Sequence, residues 1–326
     1  MTAGHGNVVV LAGGVGAARF LRGLVLAIAP ERVTAVVNTG DDTELHGLSI
    51  SPDLDTIVYT LAEAIDPERG WGLAGETWHA LEALERYAAV KPAGSRAATT
   101  WFGLGDRDLA THLYRTARLA EGATPTEVAG EIGRAWQLAI RLLPMTDGRF
   151  RTMIRLASGG DAVPFQDYFV RLRHGVAISS IEFDRGDCEL NPAVRASLSE
   201  AEAVVIAPSN PLVSIGPIRA LAGVDEALAS RRESVVAVSP IVGGQALKGP
   251  ADRMLSELGM EPTVVGVARV YAPVAATLVI DPVDAELADA VEAVGMRCVV
   301  TPTVMADVHV ARALAEACLA AARSGA

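Results

Sequence analysis

Val8-Val9-Val10-Leu11-Ala12-Gly13-Gly14-Val15-Gly16-Ala17-Ala18-Arg19-Phe20-Leu21 is the stretch whose pattern decides the fold class. Its first residues, Val8 to Leu11, form an apolar run that ends at glycines, as a strand buried on both faces of a parallel sheet does. From Ala17 to Ile28 the period changes, and Phe20, Leu21, Leu24 and Ile28 share one helical face. Val33 to Val37 is a second apolar run, Asn38 to Pro52 a polar loop, and Leu54 to Ala64 a second helical pattern. Strand, glycine loop, helix, strand, acidic loop, helix: this order predicts a Rossmann-like, doubly wound α/β fold with a mostly parallel sheet.

The rhythm changes after residue 65. Glu76–Ala88, Asp106–Ala120 and Thr126–Gln137 have helical spacing, and no alternating strand precedes about Leu138. Arg151–Leu156 and Ala177–Phe183 are candidate strands flanking Gly159-Gly160. Strand-then-helix patterns return with the apolar runs Ala203–Ile206, Val235–Val238, Val264–Val267, Leu278–Ile280 and Cys298–Val300. Asp284–Val294 and Ala306–Ala322 read as helices. The expected organisation is an α/β core from residues 1–65 and 185–326, with a largely helical insertion at 66–184.

The 326 residues are ample for a core without disulfide or metal staples. A hydrophobic share of 50% excludes a disordered chain, and a net charge of −11 argues against a nucleic-acid partner. No run of 18 or more uncharged apolar residues predicts a membrane helix, and Met1 to Gly6 has no secretory leader pattern. Cys188, Cys298 and Cys318 are scattered, as reduced thiols of a cytoplasmic protein would be.

Gly13-Gly14-Val15-Gly16 sits where a helix begins. Glycines admit a ligand to the backbone and helix N-terminal amides attract anions, so Gly13, Gly14 and Gly16 are candidate phosphate contacts, with Arg19 one turn on. The residues that follow fit neither the dinucleotide fingerprint nor the Lys-Ser/Thr of a Walker loop, and a bare packing turn explains the glycines too. Asn38-Thr39-Gly40-Asp41-Asp42-Thr43 follows the second strand, and Ser51-Pro52-Asp53-Leu54-Asp55-Thr56 opens the next helix. Four carboxylates leaving neighbouring elements can converge, and hard oxygen ligands suit Mg²⁺. Helix capping explains Asp53 or Asp55 as well, and a solvated turn explains Asp41 and Asp42.

Trp101-Phe102-Gly103-Leu104-Gly105-Asp106-Arg107-Asp108 offers a ring to stack on and an Arg for phosphate; a capped helix start with Trp101 in the core is the plainer alternative. Trp71 and Trp78 flank a similar glycine turn. Ala207-Pro208-Ser209-Asn210-Pro211 and Ser239-Pro240-Ile241-Val242-Gly243-Gly244 follow strands and suit a nucleotide, though turn chemistry accounts for much of both. The six histidines, His5 among them, have no metal spacing, and there is no Gly-x-Ser-x-Gly elbow.

Taken together, Val9–Leu21, Val36–Leu61, Asp66–Trp78, Trp101–Tyr114, Leu142–Pro144, Phe165–Arg171, Ala207–Ile218 and Ser239–Met254 resemble the 2-phospho-L-lactate transferase family, over residues 8–320. The combination of Gly-Asp-Asp, Pro-Asp-Leu-Asp-Thr, Trp-Phe-Gly-Leu-Gly-Asp-Arg-Asp and Ala-Pro-Ser-Asn-Pro-x-x-Ser-Ile-Gly-Pro-Ile is far more specific than any one of them. The wording looks most like the branch suited to an enolpyruvyl donor. Thr43 to Gly47 departs from the family pattern, which has a bulky residue there.

The resemblance implies a Mg²⁺-dependent enzyme of coenzyme F420 biosynthesis, similar to Rossmann-like homodimers. Such an enzyme moves a phosphoenolpyruvyl, phospholactyl or phosphoglyceryl group from a guanosine-diphosphate-activated donor to the terminal hydroxyl of the deazaflavin Fo and releases GMP. It places Asp41 at the metal, with Asp53 or Asp55 as second ligand, and Asp42 near the attacking hydroxyl. Gly13, Gly14, Gly16 and Arg107 would contact phosphate, and Thr39 the substrate. Ser209, Asn210, Gly243 and Gly244 would hold the guanosine side, and the insertion, with Trp71 and Trp101, would cover the deazaflavin. A related group, similar to nucleotide-sugar-binding regulators of carbon flux and cell-wall supply, shares the glycine loop and the acids. The Trp101–Asp108 loop argues for the transferase.

Overall fold

In the computed structural model, which describes residues 6–324, the apolar runs align side by side as parallel strands. They are β1 (Val8–Ala12), β2 (Val33–Val37), β3 (Arg141–Pro144), β4 (Ala203–Ile206), β5 (Val235–Val238), β6 (Thr277–Ile280) and β7 (Arg297–Val300). The order across the sheet is β3-β2-β1-β4-β5-β6-β7, with every neighbouring pair parallel. The chain winds outward from β1 through β2 to β3, then returns to the other side of β1 and winds outward again. A crevice therefore opens between β1 and β4 beyond their carboxyl ends, where such sheets bind ligands. The readings of Met1 to His5 lie outside the described residues.

All five residues of β1 are buried, which is why the run reads as continuously apolar. Alternate side chains serve opposite faces. Val8, Val10 and Ala12 pack with α1 (Gly14–Ala27) and α2 (Pro52–Leu61), while Val9 and Leu11 join the core on the other face. Three further helices matter below: α3 (Asp108–Ala120), α4 (Pro125–Ala135) and α5 (Val308–Arg323). α1 and α5 lie so close at Gly23 that a Cβ there would stand 2.4 Å from the carbonyl oxygen of Ala311. No described helix is long and apolar enough to cross a membrane.

Several elements differ from the sequence reading. Val264–Val267 is the first turn of a helix, Val264–Tyr271, whose N-cap Thr263 accepts a hydrogen bond from the Gly266 amide. A short, uniformly apolar run has no period to tell a buried helix from a buried strand. Arg141–Pro144 falls inside the span read as an insertion, yet it is the edge strand of the central sheet, with Ala35 opposite Leu142. Arg151–Leu156 and Ile178–Asp184 do form strands, antiparallel, with Val163–Pro164 on the outer edge of Arg151–Leu156. The polar loop after β2 contains a hairpin, Thr43–Leu45 with Leu48–Ile50. Its two turn residues, His46 and Gly47, both have positive φ, the two-residue turn that matches strand twist.

Candidate active site

Three chain segments meet beyond the carboxyl ends of β1, β2 and β4. β1 ends at Gly13, and α1 starts at Gly14. β2 runs into Asn38, whose side-chain Oδ1 accepts the Gly40 amide at 2.8 Å and whose Nδ2 donates to Asp53 Oδ2 at 3.0 Å. Asp53, in the first turn of α2, reaches the glycine loop: a Cβ on Gly13 would lie 3.0 Å from its Oδ2. From β4, Ser209 donates its hydroxyl to the Gly13 carbonyl at 2.8 Å. At Gly16 the helix passes so near the β4 loop that a Cβ would stand 2.0 Å from the carbonyl oxygen of Pro208. The glycines thus admit a neighbouring backbone and a carboxylate, and Gly13, Gly16, Asp53 and Ser209 form one assembly.

The acids here are buried beyond what their partners neutralise. Asp41 is 5% exposed, and its Oδ1 is buried without a hydrogen-bond partner, as are Asp42 Oδ1 and Thr39 Oγ1. Burial, then repulsion from Asp53 and Asp42, pushes the Asp41 carboxyl well above the usual range. Burial pushes Asp42 up to about 8 against the pull of its hydrogen bond from Ser51 (2.7 Å) and the charge of Arg115. Burial likewise raises Asp53 to about 6, opposed by Asn38 and the Gly14 amide. Orphaned buried oxygens are costly in a folded chain and mark places where a ligand can complete the bonding. Among the described residues no three His, Cys, Asp or Glu side chains form a closed metal cage. Asp41 beside Asp53 does suit a hard cation that takes its remaining oxygens from water and phosphate.

These raised values carry a stability consequence. A carboxyl whose folded value exceeds its unfolded value of 3.8 binds its proton more tightly when folded. Its contribution is complete at low pH and is lost as pH rises through the folded value. Wild-type protein in chelator is therefore expected to lose stability relative to Asp42→Asn as pH rises from about 5 to about 8. Denaturant midpoints of the two proteins across that window check it; a constant difference would contradict the burial of an ionising Asp42.

Asp55 does not join this cluster. Its two oxygens accept from the guanidinium of Arg115, Oδ2 from Nη1 at 3.1 Å and Oδ1 from Nη2. Asp55 is thus held at both oxygens by one guanidinium, whereas Asp53 is the acid that stands beside Asp41. The Arg107 guanidinium donates to the Ala74 carbonyl, and the Arg107 and Asp108 amides donate to Glu76 at 2.8 and 2.9 Å, bonds that tie two loops together. Trp101 packs edge-on to Phe102 and against the cluster of Leu45, Ile50 and Leu104, supporting the hairpin from behind.

Trp71 is 43% exposed, edge-on to Trp78, with the Arg69 guanidinium 5.4 Å from its ring centroid. Its neighbour Gly70 lies against Lys248 Nζ, so this loop meets the one that follows β5. Asn210 uses its Oδ1 in a turn, accepting from the Leu212 amide, and Gly243 donates its amide to Asp284. Both belong to neighbouring loops, tied elsewhere than to the acidic cluster.

On the β3 side a cavity of about 320 Å³ opens between the hairpin, α2, α3 and α4. Thr39, Asp42 and Arg115 are among its polar lining, with Asp147, Arg149 and Arg151, and Ile50, Leu54, Val128 and Ile132 are among its apolar walls. The sequence reading missed Arg115 and His112. Their signal was present: Asp108, His112 and Arg115 fall four and three residues apart, on one face of α3, and that face is buried.

The chain matches the family model described as 2-phospho-L-lactate transferase CofD over residues 8–310. It is 42% identical over 321 residues to a phosphoenolpyruvate transferase of Kitasatospora aureofaciens, covering 97% of this chain and 98% of that one. A phosphoenolpyruvate transferase of Streptomyces griseus is 42% identical over 317 residues, covering 96% and 97%. Among solved structures, a UPF0052 family member from Bacillus halodurans superposes with a TM-score of 0.63 at 15% identity, over 97% of this chain and 99% of that one. That last likeness is one of fold.

Proposed function

The chain belongs to the 2-phospho-L-lactate transferase family, and on that premise we propose that it transfers a phosphoenolpyruvyl group from a guanosine-diphosphate-activated donor to the deazaflavin Fo, in coenzyme F420 biosynthesis. The names of its relatives favour enolpyruvate over lactate or glycerate as the carried acid. The observation that carries the reading is the group of unpartnered buried oxygens, Thr39 Oγ1, Asp41 Oδ1 and Asp42 Oδ1, beside a glycine loop at the sheet's crevice.

The donor diphosphate would lie over Gly13, Gly14 and Gly16, at the N-terminus of α1, with its guanosine toward Ser209, Asn210 and the Gly243-Gly244 turn. Asp41 and Asp53 would hold Mg²⁺, which when bound offsets the charge of the diphosphate oxygens. The acceptor hydroxyl attacks the phosphorus that carries the three-carbon acid. The new P–O bond forms as the bond to the GMP phosphate breaks, and GMP leaves with that electron pair. Asp42 is placed to orient the hydroxyl and take its proton, and its raised affinity for a proton near neutrality suits that task. The cavity beyond Asp42, away from the donor loops, is the natural seat of the acceptor ring. Two such chains would form the working homodimer.

The experiment is a fluorescence titration of the protein with Fo, with and without GDP and Mg²⁺, and with a UDP-sugar as control. Saturable Fo binding strengthened by GDP and Mg²⁺ is expected. UDP-sugar binding without Fo binding would overturn the transferase reading.

A further inference from the structure

Arg115 is 5% exposed, in the middle of α3, and faces the acidic segment from outside it. Its Nη1 donates to Asp55 Oδ2 at 3.1 Å and to the Ser49 carbonyl at 3.3 Å, and its Nη2 donates to Asp55 Oδ1. Ser49 belongs to the hairpin that follows Asp42, and Asp55 to the first turn of α2, two residues after Asp53. One guanidinium thus clamps both sides of the loop that bears the acids.

The guanidinium is itself fixed. His112, 1% exposed, lies with Nδ1 3.1 Å from Arg115 Nη1 and Nε2 3.3 Å from Asp108 Oδ2. A guanidinium only donates, so His112 Nδ1 accepts and the ring proton sits on Nε2, toward Asp108. Tyr59, from α2, donates its hydroxyl to the other oxygen of Asp108. Asp108 in turn is set by the Trp101–Asp108 loop, whose last two amides are capped by Glu76.

We propose that Arg115 is a positioning residue, which holds Asp41, Asp42 and Asp53 in their working arrangement by pegging the hairpin and α2 to α3. The motif Trp101–Asp108 then serves the reaction from a distance, by delivering Asp108 to the network that orients this guanidinium. The kinetic part rests on the transferase reading; the positioning part does not.

The test is Arg115→Lys, which keeps the charge and loses the fork, together with Arg115→Ala. Amide hydrogen exchange of Arg115→Lys is expected to rise about tenfold over residues 39–55, with β1 and β2 protected as before. Turnover is expected to fall about 100-fold with the donor KM within about threefold of wild type, because misplacement of a reacting group by an ångström has that scale of effect. Arg115 lines the cavity, so guanidinium ion at concentrations far below denaturing can reach the gap in Arg115→Ala. It is expected to restore turnover about tenfold, and ethylammonium is not.

Unchanged exchange over residues 39–55 overturns the proposal whatever the activity. A turnover of Arg115→Lys near wild type, or a loss that affects the donor KM and thermal midpoint in parallel, overturns it too. If wild type turns over none of the three donors, the transferase reading fails, and the exchange result still decides whether Arg115 orders the segment.

Discussion

Asp41→Asn is expected to raise the stability of the metal-free protein and to abolish its activity. The carboxyl is buried, one oxygen has no partner, and two like charges face it. At pH 8 the unfolded chain carries the charge, and folding must either desolvate it or take up a proton; the amide needs neither, a gain of roughly 0.5–2 kcal/mol, as when a strained functional site is relieved. The thermal midpoint should move up by about 1–3 °C in a chain of this size. The gain should vanish near pH 4, where the wild-type carboxyl is protonated and already neutral. Activity should fall about 1000-fold, because the group that would hold the cation at the diphosphate is lost. Calorimetry in chelator at both pH values, with turnover in Mg²⁺, checks all three parts. A variant less stable than wild type at pH 8 would show that Asp41 is a structural acid.

Gly16→Ala should do the opposite, lowering stability and activity together. The added methyl would stand 2.0 Å from the Pro208 carbonyl oxygen, a backbone atom that no rotamer change can move aside. Either α1 or the loop after β4 must shift, at about 2–3 kcal/mol, the upper range for overpacking. The shift also separates Ser209 from Gly13, whose hydrogen bond joins the two loops. Gly243→Ala is the control. There φ is +58° and the nearest atom would be Val283 Cγ1 at 3.4 Å, so the cost is conformational strain of about 1 kcal/mol. Urea midpoints should rank Gly16→Ala well below Gly243→Ala. Equal midpoints would mean that the close approach at Gly16 is not a real constraint.

The middle of the central sheet was legible because its strands are buried on both faces, so a short apolar run marks each one, and at β1 a glycine stop as well. Val264–Val267 failed that reading because a buried run of one helical turn is too short to display a period, and the exposed Arg269 lies beyond it. Arg141–Pro144 was hidden for another reason: what makes it a core strand is its pairing with β2, a contact between segments far apart in sequence. The acids of the site could be named from spacing, but not sorted. Asp53 and Asp55 sit two residues apart in one helical turn and point to different partners. Only the position of Arg115, some sixty residues on, decides which of them is engaged. Arg107 and Trp101 stayed open for a similar reason, since charged and aromatic residues in a glycine loop fit a ligand and a neighbouring loop alike.

The contact of α1 with α5 bears on how the protein is made. α1 carries the glycine loop at its N-terminal end, and Gly23 on its length is matched to the backbone of Ala311. A ribosome completes α1 among the first elements and α5 as the last described one. Throughout synthesis, then, the nascent glycine-loop corner has a bare apolar flank, waiting for a partner not yet translated. Non-local closure of this kind is slow, and its exposed surface invites aggregation until it occurs. Translation products that stop short of α5 should accordingly be insoluble or degraded, even though every residue of the acidic cluster and the glycine loop is already in place.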